Sequence, residues 1–234
     1  MPIHTYTGWN VRNSAEDEQI EPYKKYIFIC EGINTETFYF EKLIDLRKEL
    51  GIHPLIDIRL WEKTEKDKDK SYPKDLANFA EEQKYVCENE FDPEHDKIIV
   101  VFDGDIYERK VSGYETLIAN IERSGNIAAV SNPNFEMFLL LHIRDSYEKY
   151  IKNHEDDFMT PDEHGSYRKA YDVLRKNTNM NSKRNARIGE LAKDIWVAIE
   201  QERYINQDVY AVKGKVSSNI GKIIEAIMND RIVI

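Results

Sequence analysis

The run Lys97-Ile-Ile-Val-Val-Phe102, which leads straight into Asp103-Gly104-Asp105, constrains this chain more than any other segment. So short and continuous an apolar stretch matches a strand buried on both faces, the habit of parallel sheets covered by helices. In such sheets, sites form outside the carboxyl ends of the strands, where the strand order switches direction. This strand therefore delivers two carboxylates to the place where chemistry is expected. Side chains two residues apart leave a strand on the same side. Gly104 between them removes bulk and lets the backbone turn.

The rest of the pattern supports the same architecture. Tyr26-Ile-Phe-Ile-Cys30 is a second continuous apolar run, and it ends at Glu31-Gly32. Tyr39, Leu43, Leu46 and Leu50 then recur on one helical face. Asn34 or Thr35 is placed to cap that helix, and Gly51 to stop it. Ile56, Ile58 and Leu60 alternate with Asp57, Arg59 and Trp61, which predicts a strand with one more polar face. Glu62 to Lys70 reads as a charged loop. Pro73 opens a helix whose stripe is Leu76, Phe79, Ala80, Gln83 and Val86. Tyr114, Leu117, Ile118 and Ile121 mark another helix, and Ile127 to Val130 a fourth strand. Ser131-Asn-Pro-Asn134 breaks that strand before a buried helix, Phe135 to His142.

Alternation of strand and helix predicts an α/β fold with a mainly parallel sheet flanked by helices. After His154 the pattern is helical: Tyr167 to Lys176, Arg187 to Tyr204 and Ser218 to Met228. The expected organisation is a polar leader over 1–22, an α/β domain over 23–150, and a mainly helical C-terminal extension over 151–234.

Charge and cysteine content narrow the function classes. No apolar run reaches the ~18 residues of a membrane span, so no membrane association is expected. Cys30 and Cys87 are too few for a disulfide framework or a thiolate metal site. Both are expected as buried thiols in a reducing compartment, which makes the cytoplasm the expected location.

The net charge of −10 argues against nonspecific coating of nucleic acid. Between Ser166 and Lys193, however, Arg168, Lys169, Arg175, Lys176, Lys183, Arg184, Arg187 and Lys193 face only Asp172 and Glu190. Such a window is either a solvated helical face or a patch that contacts phosphates. Lys183, Arg184 and Arg187 are its candidate nucleic-acid contacts.

Glu31, Asp103 and Asp105, each just past a strand, form the candidate site. Brought together, three carboxylates repel one another and are costly to bury without a counter-ion. A hard divalent cation with oxygen ligands, Mg²⁺ or Mn²⁺, removes that cost. Such an ion polarises phosphoryl oxygens and activates water. Glu31 is alternatively a general acid or base.

Two other readings stay open. In a phosphotransferase site of the haloacid-dehalogenase type, Asp103 would be the nucleophile and Asp105 the acid/base. That reading expects its motif near the start of the domain, and it leaves Glu31 without a task. In a non-catalytic module, the basic window would bind nucleic acid or a protein partner, and the acids would be structural.

A glutamate after the first core strand with Asp-x-Asp after a later one resembles the TOPRIM pattern. Longer stretches resemble the RloB family more narrowly. Ile27-Phe-Ile-Cys-Glu-Gly32 with Thr35-Glu-Thr-Phe-Tyr-Phe40 is similar to its opening motif. Val100-Val-Phe-Asp-Gly-Asp105 is similar to its middle motif, with Gly104 where that family more often has a polar residue. Ser131-Asn-Pro-Asn-Phe-Glu136 with Leu139-Leu-Leu-His142 resembles its third motif, with Phe138 in place of a common Trp.

The resemblance implies a TOPRIM-like fold and a metal-dependent nuclease acting on RNA or DNA in bacterial phage defence. It also implies that an ATPase is a possible partner. It adds Glu136 and His142 to the site residues Glu31, Asp103 and Asp105. Six residues of helix set Glu136 and His142 about 120° apart, so they are not expected to share a face.

Overall fold

The computed structural model describes residues 3–9, 22–63, 72–109 and 112–232. Most of the expected leader and charged loop (residues 10–21 and 64–71) lies outside the described residues.

Strands β1 (His4–Thr7), β2 (Lys24–Cys30), β3 (Ile56–Glu62), β4 (Lys97–Asp103), β5 (Ile127–Asn132) and β6 (Ser217–Ser218) form one sheet in the order β1-β3-β2-β4-β5-β6. The four central strands are parallel, and β1 and β6 close the two edges antiparallel. The expected parallel sheet is thus the centre of a mixed one. Its helices are α1 (Thr35–Asp45), α2 (Pro73–Gln83), α3 (Asp105–Arg109), α4 (Tyr114–Arg123), α5 (Phe135–Leu140), α6 (Glu155–Phe158), α7 (Lys169–Thr178), α8 (Ile195–Glu202) and α9 (Ile220–Met228).

Strand alternation feeds two cores, one on each face. Phe28, Cys30, Ile99 and Val101 pack with Tyr39, Phe40 and Leu43 of α1 and with residues of α5, α7, α8 and α9. Ile27, Ile29, Val100 and Phe102 pack with Leu76 and Phe79 of α2 and with Leu117, Ile118 and Ile121 of α4. Ile27, Phe28 and Ile29 are completely buried. Burying each such side chain contributes roughly 1.5–3 kcal/mol. That is why β2 and β4 read as unbroken apolar runs.

The topology also fixes where a site belongs. From β2 the chain passes through α1 to β3 on one side, then returns through α2 to β4 on the other side of β2. Strand order therefore reverses between β2 and β4, whose carboxyl ends lie side by side with Cys30 opposite Val101.

Several expectations are corrected. Residues 4–7 were expected in the leader, but they pair with β3 as an edge strand. Thr7 secures it by donating its hydroxyl to the fully buried Asp57, which also accepts from Arg59. Cys30 is buried, but Cys87 is exposed, because α2 ends at Gln83 and Cys87 sits in a separate short turn. The segment Ala186–Asp194, expected as the start of one long helix, is 3₁₀-helical and leads into α8.

The C-terminal helices share the first core with β2, and β6 pairs with the end of β5, so this region completes the fold of the sheet. Among the described residues, no helix is long and apolar enough to cross a membrane.

Candidate active site

The site is assembled where β2 and β4 end. The Glu31 amide donates to the Val101 carbonyl at 2.9 Å, and Glu31 Oε2 accepts from the Asp103 amide at 3.1 Å. These two bonds tie one strand tip to the other. Beyond Asp103, the Gly104 amide donates to the Ser131 carbonyl at 2.8 Å and the Asp105 amide to the Pro133 carbonyl at 3.1 Å, so α3 starts against the end of β5.

Gly104 is required for a close approach. A β-carbon there would lie 2.6 Å from Asn132 Oδ1. Asn132 is fully buried, and its amide nitrogen donates to Glu108 Oε1, the Val212 carbonyl and the Lys215 carbonyl, each at 2.9 Å.

Two further acids complete the floor. Glu136, in the first turn of α5, is nearly buried and accepts from the Ser182 hydroxyl at 2.8 Å. Glu36, in the first turn of α1, is also nearly buried and accepts from its own amide and that of Gly32. It does the capping work expected of Asn34 or Thr35; Asn34 stands at the N-cap but its side chain makes no cap bond. A β-carbon on Gly32 would lie 2.1 Å from Glu36 Oε2, so this glycine makes room for the carboxylate.

Glu36 lies within the opening motif but carried no expected role, because an acid in a first helical turn is ordinary. The available signal was Gly32, one turn before it and next to Glu31.

Glu31, Glu36, Asp103, Asp105 and Glu136 line one cavity of about 630 Å³. Arg168, Tyr171 and Lys183 form part of its wall. Burial, with the like charges of Glu36 and Asp105, lifts the Glu31 carboxyl to about 7 despite the Asp103 amide bond. Asp103 is pushed well above the usual carboxylate range by burial and by Glu31, Glu36, Glu136 and Asp105. Glu36 is raised by burial and by Glu136. Lys63 donates to the Glu31 carbonyl, and its charge favours ionised Glu31 and Glu36, while burial lowers its own pKa.

The donor set is oxygen-only and crowded with like charge, which fits a hard divalent cation. Among the described residues, no three acidic, histidine or cysteine side chains already stand in position to hold one. Side-chain rotation within the cavity would have to bring them onto a common ion.

A family model described as RloB-like protein matches residues 26–227, from within β2 almost to the end of α9. The chain belongs to the RloB-like family. The match extends well past His142, where the recognisable motifs stop, and includes the C-terminal helices. No curated protein and no solved structure matches the chain.

Within this RloB-like chain, the cavity gathers four of the five acids and histidines expected at the site, together with Glu36. His142 does not line it. Its ring is buried between Tyr39 and Phe138 and satisfied at both nitrogens. The Phe138 carbonyl, 3.1 Å from Nδ1, can only accept, so Nδ1 carries the proton. Nε2 then accepts from the Tyr39 hydroxyl at 3.0 Å. Burial lowers the His142 pKa to about 4, which keeps the ring neutral.

The basic window divides similarly. Lys183 lines the cavity wall, whereas Arg184 and Arg187 are exposed and do not line it. Arg168, counted in that window but given no role from sequence, is also on the wall. The Ser182–Glu136 bond anchors the loop that carries Lys183 to the acidic floor.

Proposed function

We propose that this RloB-like protein is a divalent-metal-dependent nuclease with a TOPRIM-like α/β architecture. The observation that carries the reading is five recessed carboxylates on the floor of one cavity at the sheet's switch point, with two basic residues on its wall. Glu31, Asp103 and Asp105 would hold Mg²⁺ or Mn²⁺, with Glu36 and Glu136 adjoining. A cation held there would supply polarisation of a phosphodiester and activation of water.

The chain's own groups supply the rest. Arg168 and Lys183 present positive charge to phosphate oxygens. Glu31, raised to about 7 by burial in the metal-free protein, is alternatively a general acid or base rather than a ligand of the ion. The family resemblance extends the proposal to cleavage of RNA or DNA in bacterial phage defence, in the cytoplasm, with an ATPase as partner.

The haloacid-dehalogenase-type reading gains nothing from the geometry, since Glu31, idle in that mechanism, sits bonded to Asp103. A non-catalytic nucleic-acid-binding subunit is favoured by one observation, the absence among described residues of acids already arranged around an ion.

Cleavage separates the two. Glu31→Gln, Asp103→Asn and Asp105→Asn should each lower magnesium-dependent cleavage of RNA or DNA by at least about 100-fold with folding retained. Sequencing of nucleic-acid ends from cells expressing wild type and Asp103→Asn gives the substrate. Full wild-type cleavage in excess chelator would count against the metal site, and binding without cleavage would favour the subunit.

A further inference from the structure

A second basic segment stands at the same end of the sheet. Lys213, Gly214 and Lys215 are exposed in the loop just before β6. Ser217 pairs with Asn132, so this loop sits at the carboxyl end of β5, level with the acidic floor.

Hydrogen bonds hold it there. Asn132 donates to the carbonyls of Val212 and Lys215, and the Gly214 amide donates to Glu108 Oε1 at 2.9 Å. Glu108 lies in α3, one turn after Asp105. Val212 packs into the core on the α2 and α4 face. The loop is therefore fixed to the helix that carries Asp105, and its two ammonium groups come from a preorganised backbone.

The other basic wall lies on the opposite face. Leu174 of α7 and Ile188 belong to the core shared with α1, and Asn134 ties Tyr167 to the end of β5 by a 2.7 Å bond to its carbonyl. Acids thus occupy the carboxyl end of the sheet, with Arg168 and Lys183 on one face and Lys213 and Lys215 on the other. Negative charge on the floor would repel a polyanion, so positive stations on both sides are what a phosphate backbone needs to cross it.

We propose that Lys213 and Lys215 form a second phosphate-contacting station. A nucleic-acid strand several nucleotides long then crosses the carboxyl end of the sheet from Arg168 and Lys183 to these lysines. The inference rests on the nuclease reading for its substrate class, but it concerns binding and not cleavage. It excludes a mononucleotide as the complete substrate.

The test uses full-length Asp103→Asn protein with magnesium, so that cleavage does not consume the probe. Fluorescent single-stranded oligonucleotides of about 3 and about 12 nucleotides are compared across a salt series. Adding Lys213→Ala/Lys215→Ala should weaken the longer probe several-fold and reduce its log–log salt slope by about 1.4, two phosphate contacts' worth. Affinity for the short probe should not change. Lys213→Arg/Lys215→Arg should restore both affinity and slope, which excludes a folding defect as the cause.

Unchanged affinity and slope in the alanine variant, while the parent binds, overturns this inference and leaves the nuclease reading intact. Failure of the Asp103→Asn parent to bind any probe, RNA or DNA, overturns both.

Discussion

Glu31 and Glu202 are both recessed carboxyls held near a pKa of 7 chiefly by burial, yet their surroundings are opposite. Glu202, the last residue of α8, is fully buried against the start of α9 and surrounded by donors. It accepts from the Ser218 hydroxyl at 2.6 Å, the Gly221 amide at 2.9 Å, the Lys222 amide at 2.8 Å and the Gln207 side chain at 3.3 Å. Glu31 accepts from the Asp103 amide and faces the like charges of Glu36 and Asp105, with the Lys63 ammonium as its opposing charge. An acid ringed by donors at a helix N-terminus is a structural anchor. An acid ringed by acids is unfavourable as it stands, and a bound cation would relieve it. Burial alone does not distinguish the two; the sign of the neighbours does.

The largest expected difference is in stability. Glu202→Ala strands several buried donors and should cost about 3–5 kcal/mol in chemical denaturation, with magnesium binding to the surviving fold unchanged. An effect below 1 kcal/mol, or lost magnesium binding, would break the distinction.

An intermediate effect is expected at Gly32. The added methyl of Gly32→Ala displaces the Glu36 carboxylate that lies 2.1 Å from its position, and calorimetry should show about tenfold weaker cation binding. Unaltered affinity would remove Glu36 from the ion's surroundings.

The smallest effect sharpens the comparison most. Glu36→Gln removes one of the crowded charges and should stabilise the metal-free protein by on the order of 1 kcal/mol. Destabilisation on the scale of Glu202→Ala would make Glu36 an anchor too.

Much of this was legible in the sequence, for local reasons. β2 and β4 are continuous apolar runs because both faces are covered, and the acids at their tips stand out against that apolarity. Helices α1, α2, α4 and α9 announce themselves by periodicity. What escaped depends on contacts distant in sequence. Strand β1 is four polar and aromatic residues, fixed by Asp57 some fifty positions away. Strand β6 is two serines that become a strand only by meeting β5. Glu36 looks like any first-turn acid until Gly32 and Glu136 are placed beside it. His142 carried a motif resemblance, but the geometry of α5 and Tyr39 turns it into the core.

The central claim is that the carboxylate cluster is completed by a divalent cation, and stability against pH tests it most directly. Because Glu31 and Asp103 have raised folded-state pKa values, the folded protein holds protons that the unfolded chain has released. Metal-free stability should therefore fall as pH rises from about 6.5 to about 8, above the range in which neutral, buried His142 adds the opposite slope. Glu202 adds a similar slope that magnesium cannot relieve, so the measurement is made on Glu202→Gln protein. Magnesium should stabilise that protein strongly at about pH 8 and little at about pH 5, and adding Asp103→Asn should remove most of the gain. Equal stabilisation at both pH values, or a gain that survives Asp103→Asn, would contradict the account.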